Sequence, residues 1–141
     1  MIHCGLKENR DGQTATDSVA RTCCRIVSGT TIKGSPGLLH DVASKGAIIA
    51  MTRAMTRAMA REPGSDGIRV NCIAPGLTMS ENTRAHPDWT GAVHEANLAS
   101  RALKQDTQPE DLLGTLLFLA SRDSDFLTGQ TLAVDGGSVM I

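Results

Sequence analysis

Three short runs with strand character, separated by stretches long enough to hold helices, constrain this chain more than any other feature. Cys23-Cys24-Arg25-Ile26-Val27 leads into the turn-rich Ser28-Gly29-Thr30-Thr31, and Ile68-Arg69-Val70-Asn71-Cys72-Ile73 stops at Ala74-Pro75-Gly76. Thr131-Leu132-Ala133-Val134 closes in the same way at Asp135-Gly136-Gly137. Between the first two runs, residues 42–61 are rich in Ala, Met, Ile and Arg, with no proline and only Gly46. That composition predicts one long helix starting near Asp41, whose carboxylate suits the positive end of the helix dipole. Before the last run, Asp106 or Thr107 can cap a helix with Pro109 in its first turn and Leu112, Leu113, Leu116, Leu117 and Leu119 on its apolar face. Shorter helical pieces are expected around 90–98. Strand, helix, strand, helix, strand with crossovers of this length predicts parallel strands covered on both faces. The expected fold class is α/β, with part of a doubly wound parallel sheet made of three strands and two main helices.

A chain of 141 residues holds one such domain. Its aromatic residues are Trp89, Phe118 and Phe126, so the core must be built from aliphatic side chains, Met and Ala. Fourteen Lys and Arg against fifteen Asp and Glu provide no basic field for a phosphate backbone, which argues against nucleic acid as a partner. No apolar run reaches bilayer length and the first residues lack a signal-peptide core, so the expectation is no membrane association and a cytoplasmic protein. The cysteines at 4, 23, 24 and 72 form neither a Cys-x-x-Cys pair nor a zinc-like spacing, and read as free thiols with no metal site. Residues 1–22 are polar and aperiodic, and are expected to be disordered or irregular, with the domain occupying 23–141. In the long helix, a near-repeat of four residues places Met51, Met55 and Met59 in one stripe, read as core or subunit contact, and Arg53, Arg57 and Arg61 in a solvated one.

Four segments in order carry a family resemblance. Val42-Ala43-Ser44-Lys45-Gly46-Ala47 is similar to the context in which short-chain dehydrogenases/reductases place a Tyr-x-x-x-Lys pair. Ser28 stands thirteen residues before position 41, as the family spaces its serine and tyrosine. Residues 67–76 resemble its penultimate strand and proline-glycine turn, and residues 128–137 its last strand. The match covers about 23–141 and resembles the C-terminal half of the family's Rossmann-type domain. It implies hydride transfer between NAD or NADP and a secondary alcohol or ketone. The tyrosine would act as general acid/base, the lysine would lower its pKa and the serine would orient the substrate oxygen. By the resemblance the catalytic positions are Ser28, Asp41 and Lys45. Lys45 would also touch the nicotinamide ribose, and Pro75, Gly76, Thr78 and Ser80 would form the turn that meets the carboxamide. Each has a plainer alternative: Lys45 paired with Asp41 one turn away, Ser28 closing a strand-end turn, and Thr78 or Ser80 capping a short helix.

The departures from the pattern are equally specific. Asp41 occupies the tyrosine position, and the sequence contains no tyrosine. A carboxylate is a poor acid at neutral pH and ends short of where a phenol oxygen would lie, and His40 points about 100° away on the helix. No Gly-x-x-x-Gly-x-Gly turn for a pyrophosphate occurs, which argues against cofactor binding by the chain alone. The run before Ser28 is about three residues short of the family's strand. The additional Ala-Met-Thr-Arg unit advances the downstream helical residues by about 6 Å and rotates them by about 40°. The resulting expectation is an oxidoreductase by ancestry that is inactive as this chain, the alternatives being a non-catalytic interaction module or a non-functional gene remnant. A three-strand sheet with a bare first strand, together with the Met-rich helix, predicts a homo-oligomer or aggregate.

Overall fold

The structure is a computed structural model that describes residues 2–4, 22–61 and 67–140. The core element is strand β3 (Arg69–Pro75), buried throughout except at its last residue. It runs parallel to β2 (Thr22–Ile26) on one side and to β4 (Thr131–Val134) on the other, with Cys24 opposite Asn71 and Ile73 opposite Leu132. A central strand buried on both faces must satisfy any polar residue it carries, and here Arg69 donates to the Leu119 carbonyl and Asn71 to the Leu127 carbonyl. Beyond β2 lies β1 (Ile2–Cys4), antiparallel to it with Ile2 opposite Cys24, so the sheet order is β1-β2-β3-β4. This corrects two expectations: residues 2–4 are not irregular, and the outer edge of β2 is not bare. The remainder of the amino-terminal expectation, residues 5–21, lies outside the described residues.

Helices cover both faces of the three parallel strands. The long helix α2 (Leu39–Met59) follows a one-turn helix α1 (Thr30–Lys33). It starts slightly before the expected position, with Asp41 in its first turn. Ile48 and Ile49 pack with Ile32 on Val27, Cys72 and Ala74. The innermost residue of α2 is Thr52, 1% exposed, its hydroxyl 3.1 Å from Cys72 Sγ, whereas Met51 is 42% exposed. The Thr52 line of the near-repeat therefore lies against β3, while the methionine line is split, Met51 facing outward and the half-buried Met55 accepting through Sδ from Arg25 Nη2 of β2 at 3.4 Å. Arg53, Arg57 and Arg61 are exposed, as expected. On the opposite face, α5 (Leu113–Ala120), entered through a 3-10 turn at Pro109–Leu112, packs Leu116 and Leu119 on Cys24, Ile73, Leu132 and Val134.

Between β3 and α5 run two further helices, α3 (Glu81–Ala85) and α4 (Ala92–Ser100). Among the described residues no helix is long and apolar enough to cross a membrane, and no cluster of His, Cys, Asp or Glu could hold a metal ion. Cys23, Cys24 and Cys72 are free.

Candidate active site at the carboxyl ends of the parallel strands

Parallel strands end together, so the residues just past β2, β3 and β4 meet at one edge of the sheet. The ladder continues there: Gly29 N–H donates to the Pro75 carbonyl at 2.9 Å and Gly76 N–H to the Val134 carbonyl at 3.0 Å. Pro75 has no N–H to donate, but its carbonyl still serves the neighbouring chain, which lets the strand run through it. The three ends are packed tightly. A Cβ at Gly76 would fall 2.9 Å from Asp135 Cβ, and one at Gly29 would fall 3.2 Å from the Pro75 oxygen. In open sheets of this kind ligands bind outside the carboxyl ends of the strands.

Ser28 follows the end of β2 in a turn in which Thr31 N–H and Thr31 Oγ1 both donate to its carbonyl, at 3.2 and 2.6 Å. Its plain role as a strand-end turn residue is thus real, but its hydroxyl does something else. Thr30 Oγ1 lies 2.8 Å from Ser28 Oγ and 3.1 Å from Asp41 Oδ2, linking the serine to the first turn of α2. The two positions singled out by their thirteen-residue spacing are therefore joined through a third residue that the sequence reading missed. The available signal was the hydroxyl two residues after Ser28, a spacing that favours local serine/threonine turns. Lys45 is half-buried one turn beyond Asp41 and makes no ion pair with it.

The turn after β3 is held from below. Arg101, 3% exposed, donates from Nη2 to the Leu77 carbonyl at 2.7 Å and from Nη1 to the Gln105 carbonyl at 2.7 Å, while Asn97 Oδ1 accepts from its Nε and Nη2. Thr78 Oγ1 donates to the Gly76 carbonyl at 3.1 Å. Ser80 caps α3, its hydroxyl accepting from Thr83 N–H at 3.2 Å, so its side chain is engaged in the cap. Asp135, also buried, accepts from Gly137 and Ser138 N–H through Oδ1, while its Oδ2 is buried without a hydrogen-bond partner. No periodic pattern marks Arg101. Asp135 was legible only as the start of an Asp-Gly-Gly turn.

A nicotinamide ribose needs a polar side chain with free capacity, and the Lys45 ammonium, without a hydrogen bond or ion pair among the described residues, fits that need. Nothing in the sequence offers the glycine-rich turn that a pyrophosphate needs. The residues present therefore fit the nicotinamide end of a dinucleotide and not its phosphate end.

Comparison with known proteins gives a consistent result. The family described as enoyl-(acyl carrier protein) reductase matches residues 14–139. The chain is similar to 3-oxoacyl-(acyl-carrier-protein) reductase of Chlamydia trachomatis, 39% identical over 117 aligned residues, with 79% of this chain and 42% of that protein covered. Among solved structures it resembles a short-chain dehydrogenase/reductase from Brucella melitensis at TM-score 0.75 and 27% identity, over 86% of this chain and 46% of that one. It also resembles 4-hydroxyisoleucine dehydrogenase complexed with NADH and succinate, at TM-score 0.71 and 26% identity, over 86% of this chain and 47% of that one. The chain thus spans less than half the length of each of these relatives.

Proposed function

The chain belongs to the short-chain dehydrogenase/reductase family, and on that premise we propose that it carries the substrate-oxygen and nicotinamide-facing end of an NAD- or NADP-dependent alcohol/ketone oxidoreductase site. The observation that carries this reading is the link from Ser28 through Thr30 to Asp41, at 2.8 and 3.1 Å, at the carboxyl ends of the parallel strands. It brings the serine and the position of the family's proton donor together despite the shortened run before Ser28 and the lengthened helix after Lys45. The cofactor, when bound, supplies or takes the hydride. Ser28 meets the substrate oxygen, Lys45 holds the ribose, and the Pro75-Gly76 turn with Thr78, fixed by Arg101, borders the nicotinamide. Ser80 contributes by capping α3 behind that turn.

Asp41 is the weak point of the machinery. Converting a ketone to an alcohol requires a proton at the oxygen, and a carboxylate has none to give. We therefore read the chain by itself as a ligand-binding remnant of the site that does not turn over. The exposed Met51, Leu117 and Phe118 support self-association, and the free thiols support a reducing, cytoplasmic setting.

Titration of the isotope-labelled chain with NADH and with NADPH, followed by amide NMR, tests the reading. Shifts centred on Ser28, Lys45 and Thr78, with no protein-dependent loss of absorbance at 340 nm when a ketone is added, are expected. Shifts confined to other parts of the chain would refute it.

A further inference from the structure

Lys33, Ser100 and Ser138 come from three separate elements and meet on the rim of the strand ends. Lys33 is the last residue of α1, Ser100 the last of α4, and Ser138 lies in the turn after β4. Lys33 Nζ donates to Ser100 Oγ at 3.1 Å and to Ser138 Oγ, and the two hydroxyl oxygens lie 2.5 Å apart. Lys33 makes no other hydrogen bond and no ion pair among the described residues, so its charge is met only by neutral hydroxyls. An ammonium carries three N–H groups, which leaves one for a ligand. Ser100 gives its proton to the Asn97 carbonyl at 2.7 Å, whereas the Ser138 hydroxyl has only Ser100 to donate to and can turn from it to a stronger acceptor. The carboxylate nearest in sequence, Asp135, is engaged elsewhere: its Oδ1 accepts from Gly137 and Ser138 N–H, and its Oδ2 lies 3.8 Å from where a Gly29 Cβ would stand.

We propose that Lys33 and Ser138, held together by Ser100, form a subsite for the carboxylate of a short aliphatic acid. The third ammonium N–H and the Ser138 hydroxyl are two donors for the two oxygens of a carboxylate, and one positive charge matches its one negative charge. A phosphate dianion calls for more, commonly backbone N–H groups, and those at hand are spent: Gly137 and Ser138 N–H on Asp135, and Gly34 N–H on the Thr30 carbonyl. The plainer task of a lysine beside a helix end, donating to its last carbonyls, belongs to Lys104, whose Nζ reaches the Ala99 carbonyl at 2.6 Å, while Lys33 reaches none. Leu103, whose N–H donates to the Gly136 carbonyl at 2.9 Å, leaves its side chain 61% exposed in the adjoining loop, an apolar surface for the carbon chain of the acid. The subsite goes beyond the oxidoreductase reading and does not rest on it, since neither Ser28 nor a cofactor takes part.

The test titrates sodium propionate and the neutral propionamide separately into the isotope-labelled chain at constant ionic strength, followed at the Lys33, Ser100 and Ser138 amides. Propionate is expected to shift all three with millimolar half-saturation, and propionamide to leave them in place. Because the ammonium is exposed, Lys33→Met should weaken propionate by about 5-fold, the upper end for a solvent-facing ion pair. Lys33→Arg keeps the charge and should retain binding. Ser138→Ala removes the second donor and should also weaken propionate, which a bare surface charge would not require. Equal shifts from the two probes, or undiminished propionate binding in Lys33→Met, overturn the proposal. Tighter binding of inorganic phosphate than of propionate overturns the assignment to a carboxylate. If propionate moves none of the three amides in the native chain the subsite is refuted, while NADH-induced shifts at Ser28, Lys45 and Thr78 would still support the proposed function.

Discussion

Two buried arginines hold opposite ends of the same sheet, and they are used differently. Arg69 opens β3 and reaches under the end of α5, donating to the carbonyls of Leu119, Ser121 and Ser124 and to the Ser124 hydroxyl, with Asp125 at 3.7 Å. Thr22 Oγ1 and Ser124 Oγ add further donors to the Leu119 carbonyl, so this end is closed by overlapping bonds. Arg101, at the other end, ties the loop after β3 to α4 and to the segment that follows it, through Leu77, Asn97 and Gln105. At the same end of the sheet are a buried carboxylate oxygen without a partner on Asp135, a Lys45 ammonium without a partner among the described residues, and the Ser28, Thr30 and Asp41 cluster. At the Arg69 end the guanidinium leaves only its Nε without a partner among the described residues, and its other nitrogens close the fold. The Arg101 end keeps a carboxylate oxygen of Asp135 and the Lys45 ammonium without one.

That contrast can be broken by replacing each arginine with a methionine of similar reach. Arg69→Met strips a charged donor from three buried carbonyls and is expected to lower stability by about 3–5 kcal/mol. Loss on this scale is a large part of the stability of a single domain. Arg101→Met should cost less, about 2–3 kcal/mol, because the Leu77 and Gln105 carbonyls lie at a more open edge. It should also abolish the amide shifts caused by NADH around Thr78. Urea unfolding gives the first quantity and NMR titration the second. Equal costs in the two variants, with NADH shifts intact in Arg101→Met, would show that the two ends do not differ in purpose.

The parts of this design that sequence conveyed are those with local signals. The strands at 69–75 and 131–134 announced themselves by β-branched residues between turn formers, and the spacing of Ser28 to position 41 marked two members of the cluster. The hidden parts depend on contacts distant in sequence. Ile2–Cys4 is three residues in a polar stretch, and only its pairing with β2 makes it a strand. Thr30 looked like a turn residue, and nothing periodic indicates that its hydroxyl reaches Asp41 eleven positions on. The methionine and threonine lines of α2 have the same period, so periodicity alone could not say which one faces Cys72. No local signal marks Arg69 or Arg101 as buried, since a charge is buried only when the surrounding carbonyls arrive to receive it.

The closed end can also be probed through pH. Cys24 packs beside Leu119, the residue whose carbonyl Arg69 holds. Burial, followed by the nearby thiols of Cys72 and Cys23, pushes its pKa up from 9.0 to about 11. A thiol with a raised folded pKa holds its proton where the unfolded chain has released it. Its contribution to stability is therefore complete below pH 9 and is lost as pH rises through about 11. Urea midpoints taken across that interval should fall, and Cys24→Ala should flatten the fall relative to the native chain. Parallel profiles for the two chains would remove Cys24 as the cause.

The smallest effect expected is a gain, and it sharpens the contrast from the open end. Gly46 lies inside α2 next to Lys45, and a Cβ built there meets nothing within 4 Å. Glycine in a helix interior costs about 0.5–1 kcal/mol relative to alanine, because it surrenders more backbone freedom on folding and adds no contact. Gly46→Ala should therefore raise the melting temperature by roughly 2–4 °C for a chain of this size. The change stiffens the helix that carries Asp41 and Lys45 without touching Thr30, Ser28 or the turn at Gly76. If the open end keeps its free polar groups on a scaffold whose stability is set elsewhere, NADH-induced shifts should be the same in both chains. A higher melting temperature accompanied by lost shifts would mean that the site needs motion in α2 around position 46. Ligand capacity and helix stability would then be coupled at the very end where the packing suggests they are separate.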